Sequence, residues 1–235
     1  MKRLSTAGVA LVLVLASFPV WAATVSPGVS ADAALTKLKE GNARFAAGTL
    51  RHPNQDVARR QDTGANGQHP FAVVLACADS RVPPEVIFDQ GLGDLFVVRV
   101  AGNVAATDEI GSIEYAADHL GTALVVVLGH TKCGAVTAVV KKEPTTASIG
   151  KLVSPIAPAV ARVEKQFPTA SQEEIIRRSV EANVWQAIAD TYKTSSLLKR
   201  LAAQGKVNIV GAIYDVDSGQ VRFLGEHPQK KTLLQ

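Results

Sequence analysis

Four largely apolar runs, separated by segments with helical signals, constrain the fold of this chain more than any other feature. Runs without a regular apolar–polar alternation are typical of strands that are buried on both faces of a sheet. Strands that alternate with helices indicate right-handed crossovers and therefore parallel pairing. The sequence thus predicts an α/β fold with a mainly parallel central sheet covered by helices. The predicted strands are FAVVLA at 71–76, LFVVRV at 95–100, ALVVVL at 123–128 and the longer run 207–216.

The segments on either side of this core are predicted from a helix cap before it and a turn near its end. Ser30 is expected to cap an amino-terminal helical arm that runs to about Ala47 and has one apolar face. The turn Asp217-Ser218-Gly219 is expected to return the chain as an antiparallel edge strand over 221–224, which makes a hairpin.

The remaining segments are divided between helices and loops by their caps and stop signals. The predicted helices open at Pro83, cover 107–120 with Thr107 as the cap, cover 134–140 and, as two or three helices, occupy 151–204. The predicted loops are 49–70, with at most short helices, and 143–150.

The first residues have the pattern of a secretory signal peptide. Lys2 and Arg3 precede an apolar run, Ala7–Val20, and Val20-Trp21-Ala22 fits a cleavage site. The run is short for a membrane span, which favours cleavage over the alternative of an uncleaved anchor. We therefore expect a signal peptide over 1–22, a single domain over 23–235, and export to the periplasm with no membrane span after cleavage.

Composition excludes two other classes of protein. Hydrophobic residues make up 47% of the chain and charged residues 20%, which is a globular rather than a disordered balance. Residues 1–22 hold two basic residues and no acidic one, so their removal lowers the formal net charge from +4 to +2. Because Lys and Arg form no clustered stripe and aromatic residues are few, no nucleic-acid partner is predicted.

Both cysteines of the chain and one histidine fall where two predicted strands end. Cys77 follows the first strand, and His130 and Cys133 follow the third. Sites in parallel α/β sheets form beyond the carboxyl ends of the strands, so the three side chains are expected to converge. Two thiolates and one imidazole suit Zn²⁺, and three protein ligands leave a fourth position open, as in catalytic zinc sites.

Asp79 and Arg81 lie just beyond Cys77 and complete the candidate site. An extended segment would point Asp79 to the same side as Cys77, where its carboxylate could bind the metal or stand beside it. Arg81 could hold that carboxylate bidentately and draw it off the metal, which leaves room for water. Zinc would make that water a hydroxide nucleophile near neutral pH. The alternative is an exported, non-catalytic protein in which Cys77 and Cys133 form a disulfide.

Two long motifs, CADSRVPPE at 77–85 and GHTKCGAV at 129–136, resemble those of the β-class carbonic anhydrases. The resemblance extends through FVVRVAGNV, GSIEYAADHLG and GAIYDVDSGQVRFL. It implies reversible hydration of CO2 to bicarbonate and a proton, with zinc held by Cys77, His130 and Cys133. Zinc-bound hydroxide would attack CO2, oriented by the dyad of Asp79 and Arg81. Relatives that hydrolyse CS2 or carbonyl sulfide with the same ligands are the alternative within the family.

The resemblance also implies a substrate pocket and an assembly. In the plant-like branch of the family, residues that match Gln68, Phe96 and Tyr115 line the CO2 pocket. In some plant-type relatives a histidine that matches His119 transfers protons; the alternative for His119 is a solvated helix residue. The pocket residues come from both subunits of a dimer, so a homodimer or a homotetramer is expected, with an exchanged amino-terminal helix. Two positions depart from the family pattern: Val100 replaces an asparagine and Ala78 replaces a serine.

Overall fold

A five-stranded sheet forms the centre of the molecule, in a computed structural model that describes residues 28–235. The strands lie in the order β2-β1-β3-β4-β5. The first four run parallel, and β5 pairs antiparallel with β4 at one edge. The predicted α/β fold is therefore confirmed, including its antiparallel edge strand. The strands are β1 (Ala72–Ala76), β2 (Leu95–Arg99), β3 (Leu124–His130), β4 (Asn208–Tyr214) and β5 (Val221–Glu226).

Helices cover both faces of this sheet. They are α1 (Ala31–Ala46), α2 (Val57–Asn66), α3 (Pro84–Ile87), α4 (Thr107–Asp118), α5 (Gly134–Lys141), α6 (Ala147–Val153), α7 (Ala157–Gln166), α8 (Gln172–Thr194), α9 (Ser196–Ala203) and α10 (Lys230–Leu233). Short 3₁₀ turns lie at Ala101–Asn103 and Ser154–Ile156. The predicted signal peptide and its cleavage site lie outside the described residues.

Alternate residues of the central strands pack into two separate hydrophobic cores, one on each face of the sheet. Val73 and Leu75 of β1 pack with the face covered by α4, α5, α7 and α8, whereas Val74 packs with the face covered by α1 and α3. All five residues of β1 and all seven of β3 are buried. Burial on both faces is the physical reason that these strands read as continuous apolar runs.

The amino-terminal arm packs on the sheet of its own chain. Ser30 caps α1 as predicted, because its Oγ accepts a hydrogen bond from the Ala33 backbone N–H. Leu38 is fully buried. Asn42 ties α1 to the β4–β5 turn: its Nδ2 donates to the Gly219 carbonyl at 2.9 Å, and its Oδ1 accepts from the Val221 N–H at 2.8 Å.

The structure departs from the predicted helices and loops at several points. Helix α2 occupies ten residues of the predicted loop 49–70, and α6 begins at Ala147 inside the predicted loop 143–150. Helix α4 begins at Thr107 with Ala106 as its cap residue, so the predicted capping role of Thr107 is wrong. The side chain that satisfies this helix start is Glu109, whose Oε2 accepts from the Ala106 N–H at 3.0 Å.

Candidate metal centre

Two neighbouring strands bring Cys77, His130 and Cys133 together. Cys77 follows β1 directly, His130 is the last residue of β3, and Cys133 precedes the first residue of α5. Because β1 and β3 are parallel neighbours, their carboxyl ends meet at one edge of the sheet. One ligand atom from each residue lies within 4.8 Å of the others, and all three residues are buried. The predicted convergence is thus present.

A hydrogen bond from one ring nitrogen orients the imidazole of His130, and the other ring nitrogen is left on the side of the two thiols. Its Nδ1 lies 2.9 Å from the Thr131 carbonyl oxygen. A carbonyl only accepts, so Nδ1 carries a proton, and in the neutral imidazole, the form that binds a metal, Nε2 carries a lone pair. Nε2 is buried and has no hydrogen-bond partner within residues 28–235. Metal-bound histidines usually have this arrangement, in which the outer ring nitrogen donates to a carbonyl and the inner one binds the ion.

The two cysteines are free, buried thiols in contact with each other. The hydrogen bond from the Cys133 thiol lowers the pKa of Cys77, and the contact with Cys77 together with burial raises the pKa of Cys133. A second thiolate needs a cation beside it, because like charges in a buried site repel. Two sulfurs and one bare imidazole nitrogen match the ligand preference of Zn²⁺. The residues therefore fit a zinc ion.

Asp79 is held beside these three residues by Arg81. Arg81 donates from Nε to Oδ1 at 2.9 Å, from Nη2 to Oδ2 at 2.7 Å, and from its backbone N–H to Oδ1 at 2.9 Å. These hydrogen bonds hold the pKa of Asp79 well below its usual range. Asp79 Oδ2 remains 3.9 Å from His130 Nε2. Arg81 Nη2 also donates to the Lys132 carbonyl at 3.2 Å, so it links the two loops that carry the cluster.

Arg99 is a residue of the site that the sequence did not single out. Its Nε donates to the Cys77 carbonyl at 3.0 Å, and its Nη2 donates to the Asp79 carbonyl at 2.5 Å. It therefore braces the backbone of the loop that presents both side chains. The available signal was a charged residue within the apolar run LFVVRV.

Val100 contributes through its backbone, at the position where the family commonly has asparagine. Its carbonyl accepts from the Ala78 N–H at 3.2 Å, and its N–H donates to the Ala76 carbonyl at 3.1 Å. Its side chain packs, partly buried, against the apolar core. The change from asparagine therefore leaves the path of the Cys77 loop intact.

The aromatic residues predicted for the substrate pocket lie together but away from the cluster of the same chain. The rings of Phe96 and Tyr115 are 6.1 Å apart, and those of Tyr115 and His119 are 5.2 Å apart. The register pairs Val73 with Phe96, so Phe96 lies roughly 13 Å along the sheet from the level of Cys77.

Gln68 and Tyr115 are both open to solvent. Gln68 lies in the loop before β1, and Tyr115 is 46% exposed on α4. A single chain does not assemble the predicted pocket around the cluster, although it does assemble the cluster itself.

Comparison with known proteins gives one consistent result. A profile of the family described as carbonic anhydrase matches residues 72–221. Carbonic anhydrase 2 of Mycobacterium tuberculosis is 42% identical over 196 residues, which cover 83% of this chain and 93% of that protein. The carbonic anhydrase of Mycolicibacterium smegmatis is 39% identical over 202 residues, which cover 84% of this chain and 95% of that protein.

Solved structures agree with this result. A β-carbonic anhydrase of the fungal pathogen Aspergillus fumigatus has a TM-score of 0.68 and 30% identity, with 86% of this chain and 94% of that chain covered. A tetrameric β-carbonic anhydrase of Sordaria macrospora shares the fold, with a TM-score of 0.66 and 22% identity over 79% of this chain and 94% of that chain. These matches show that the chain belongs to the β-carbonic anhydrase family of enzymes.

Proposed function

We propose that this enzyme hydrates CO2 reversibly to bicarbonate and a proton at a zinc ion held by Cys77, His130 and Cys133. The observation that carries the proposal is the buried cluster of two free thiols and one imidazole, whose ligand atoms lie within 4.8 Å of one another. Three protein ligands leave one position of a tetrahedral zinc site open. When bound, zinc would supply a water whose pKa is lowered enough for it to act as a nucleophile near neutral pH.

Asp79 is proposed to orient that nucleophile, and Arg81 is proposed to hold Asp79 in place. The carboxylate reaches the cluster without occupying it, since Oδ2 lies 3.9 Å from His130 Nε2. Both of its oxygens already accept from Arg81, so moving Asp79 onto a metal would break two charge-assisted hydrogen bonds. An ionised carboxylate in this position only accepts, so it selects the orientation of a hydroxyl that donates to it.

A second subunit is proposed to supply the apolar part of the substrate pocket. Phe96 and Tyr115 lie at the β2 edge, too far along the sheet to line the cluster of their own chain. Two apolar rings from a partner would give CO2 an apolar surface beside the nucleophile, and the Gln68 amide could donate to a bicarbonate oxygen. A homodimer, or a homotetramer like the tetrameric Sordaria relative, is therefore proposed.

Export to the periplasm is proposed from residues 1–22 alone. The basic start, the apolar run and the small residue Ala22 support removal of a signal peptide. Within residues 28–235, none of the helices is both long and apolar enough to cross a bilayer. Mass spectrometry of the protein recovered from the periplasm of a Gram-negative host should give a first residue at or near Ala23. An intact Met1 in that fraction would contradict the proposal.

Stopped-flow CO2 hydration, measured beside zinc content, tests the proposed activity. The wild type should bind one zinc per chain and accelerate hydration, and Cys133→Ala should lose both zinc and activity. The control is His52→Ala, which removes an exposed imidazole outside the cluster. Full zinc retention in Cys133→Ala would contradict the ligand assignment.

Two further results would point to the alternatives. A zinc-loaded enzyme that leaves CO2 unchanged but releases sulfide from CS2 or carbonyl sulfide would indicate the other activity of the family. A metal-free protein without titratable thiols would indicate the disulfide.

A further inference from the structure

Asn183 is a buried amide in the middle of an apolar part of α8. The residue is 2% exposed, and its helix neighbours Val180, Val184 and Ala187 are all buried in the main core. Burying an amide costs free energy unless the amide is hydrogen-bonded. Asn183 is bonded: its Nδ2 donates to the Gly102 carbonyl oxygen at 2.8 Å, across 81 residues of sequence. The contact joins the long helix to the turn that follows β2.

Gly102 makes a second hydrogen bond in the opposite direction, to a cysteine of the cluster. Its backbone N–H donates to Cys77 Sγ at 3.2 Å. Gly102 has φ 76° and ψ 15°, a left-handed conformation, and a Cβ here would lie 2.7 Å from Ile156 Cδ1. The following residue, Asn103, also has a positive φ of 44°. Glycine adopts this conformation without a steric penalty and asparagine tolerates it, so both residues suit the turn.

The two hydrogen bonds act on either side of one α-carbon. Asn183 holds the carbonyl of Gly102, and the backbone angles of Gly102 then direct its N–H toward the sulfur. Outer groups that bond to metal ligands orient those ligands and tune the metal. We propose that Asn183 is a positioning residue for Cys77, which acts through the Gly102 backbone to set the direction and the charge of this sulfur toward the metal. The inference rests on the proposed zinc function.

The test replaces the amide and reads the metal–sulfur bond directly. Asn183→Ala removes the donor. Asn183→Thr has nearly the volume of asparagine, but its hydroxyl lies one bond closer to the helix and stops short of Gly102. Ile188→Ala is the matched control, since it opens a fully buried position five residues further along the same helix and leaves the Asn183 amide in place. Each protein is reconstituted with cobalt(II), and the thiolate-to-cobalt charge-transfer band is recorded beside the melting temperature and the zinc affinity from chelator competition.

Both Asn183 variants are expected to shift the charge-transfer band and to bind zinc about 10- to 100-fold more weakly than the wild type. Ile188→Ala should melt at a lower temperature but keep the wild-type band and affinity. The threonine variant preserves the test if the alanine variant does not fold.

The outcomes separate the inference from the function on which it rests. If the wild type shows the thiolate band and both Asn183 variants keep the wild-type band and zinc affinity, the positioning role is wrong and the zinc function stands. The same holds if Ile188→Ala changes the band as much as they do. If the wild type binds cobalt without a thiolate band, the positioning role and the proposed thiolate-bound zinc site are both wrong.

Discussion

Arg81 is the residue on which the position of Asp79 depends most directly. It is exposed on one side and reaches across the gap between the two ligand loops, from Asp79 to the Lys132 carbonyl. A lysine could keep the charge but could not reproduce the planar pair of donors. We therefore expect the position of Asp79 to depend on the geometry of the Arg81 guanidinium and not only on its charge.

Arg81→Ala should lower kcat/KM by about 100-fold and leave zinc bound, because it removes donors that preorganise the site and no ligand. Arg81→Lys should recover only part of the loss, since it restores one donor of the pair. Stopped-flow hydration assays and zinc analysis of the three proteins measure both effects. Activity within twofold of wild type in Arg81→Ala would show that Asp79 needs no anchor.

His119 is the candidate for moving the product proton to solvent. It follows the last residue of α4, is exposed, and has its ring 5.2 Å from that of Tyr115. An exposed imidazole can accept a proton at one ring nitrogen and release one from the other, so it can exchange protons with buffer.

His119→Ala should lower kcat by about tenfold in dilute buffer and leave kcat/KM nearly unchanged, because proton transfer follows the chemical step. Concentrated imidazole buffer should restore kcat. His52→Ala, which removes another exposed imidazole, serves as the control. Equal kcat for wild type and His119→Ala at low buffer would exclude the role.

The residues of the cluster could be predicted because their types and positions are both unusual. Cys77 and His130 are chemically distinctive residues at the ends of apolar strands, so strand pairing alone brings them together. Arg99, Gly102 and Asn183 could not be predicted in the same way. They act by bonding to backbone or through backbone, and such contacts depend on the fold and not on a pattern of residue types.

At the scale of elements, a buried carboxylate adds to the contacts that hold the amino-terminal arm on the sheet. Asp89, 2% exposed, accepts from Arg44 Nε of α1 at 2.6 Å and from the backbone N–H groups of Arg51 and His52. Burial alone would raise the pKa of Asp89, but these hydrogen bonds outweigh it and hold the pKa below its ordinary value. The carboxylate thus links α3 to α1 and to the loop that follows it.

Asp89→Asn should lower the free energy of unfolding by about 2 kcal/mol at pH 7, because hydrogen bonds to a charged acceptor are lost. A lowered folded-state pKa contributes stability above the unfolded value, and that contribution is lost as the pH falls through the folded value. The difference in unfolding free energy between wild type and variant should therefore shrink below about pH 4.

Urea denaturation at several pH values measures this gap. Asp62→Asn is the control, since Asp62 is exposed in a surface ion pair and its loss should cost under about 0.5 kcal/mol. A gap for Asp89→Asn that is constant from pH 3 to 7 would contradict the assignment of the effect to the carboxylate.

The strands were predictable and some helices were not, for a physical reason. A strand buried on both faces must be apolar throughout, so β1 and β3 are visible in the sequence. Helix α2 has no buried residue and so lacks an apolar face. It is stabilised instead by the Asp56 cap and by Arg59, which donates to the Leu92 carbonyl at 2.8 Å. Contacts with a distant loop leave no periodic signal.

At the scale of the whole molecule, the metal-binding cluster and the aromatic pair Phe96 and Tyr115, here called the aromatic edge, lie in different parts of one chain. The cluster is buried at the carboxyl end of β1 and β3, whereas Phe96 and Tyr115 lie on the edge strand and on α4. The sequence could predict both sets of residues from the family motifs. The resemblance also implied that the pocket is shared between subunits, but the distance between the two sets within one chain depends on the β1–β2 register.

Mixing two inactive variants tests whether the site is shared between subunits. Cys133→Ala removes the metal but keeps the aromatic edge, and a Phe96→Ala/Tyr115→Ala double variant keeps the metal but removes the edge. In a mixed dimer, one site combines an intact cluster with an intact edge, and the other site lacks both. Random reassembly makes about half of the dimers mixed, so the mixture should regain about a quarter of wild-type activity. The control mixes each variant with itself under the same dissociation and reassembly. If only the mixture recovers activity, the partner chain supplies the aromatic edge. If the mixture stays as inactive as the controls, Phe96 and Tyr115 act on their own chain.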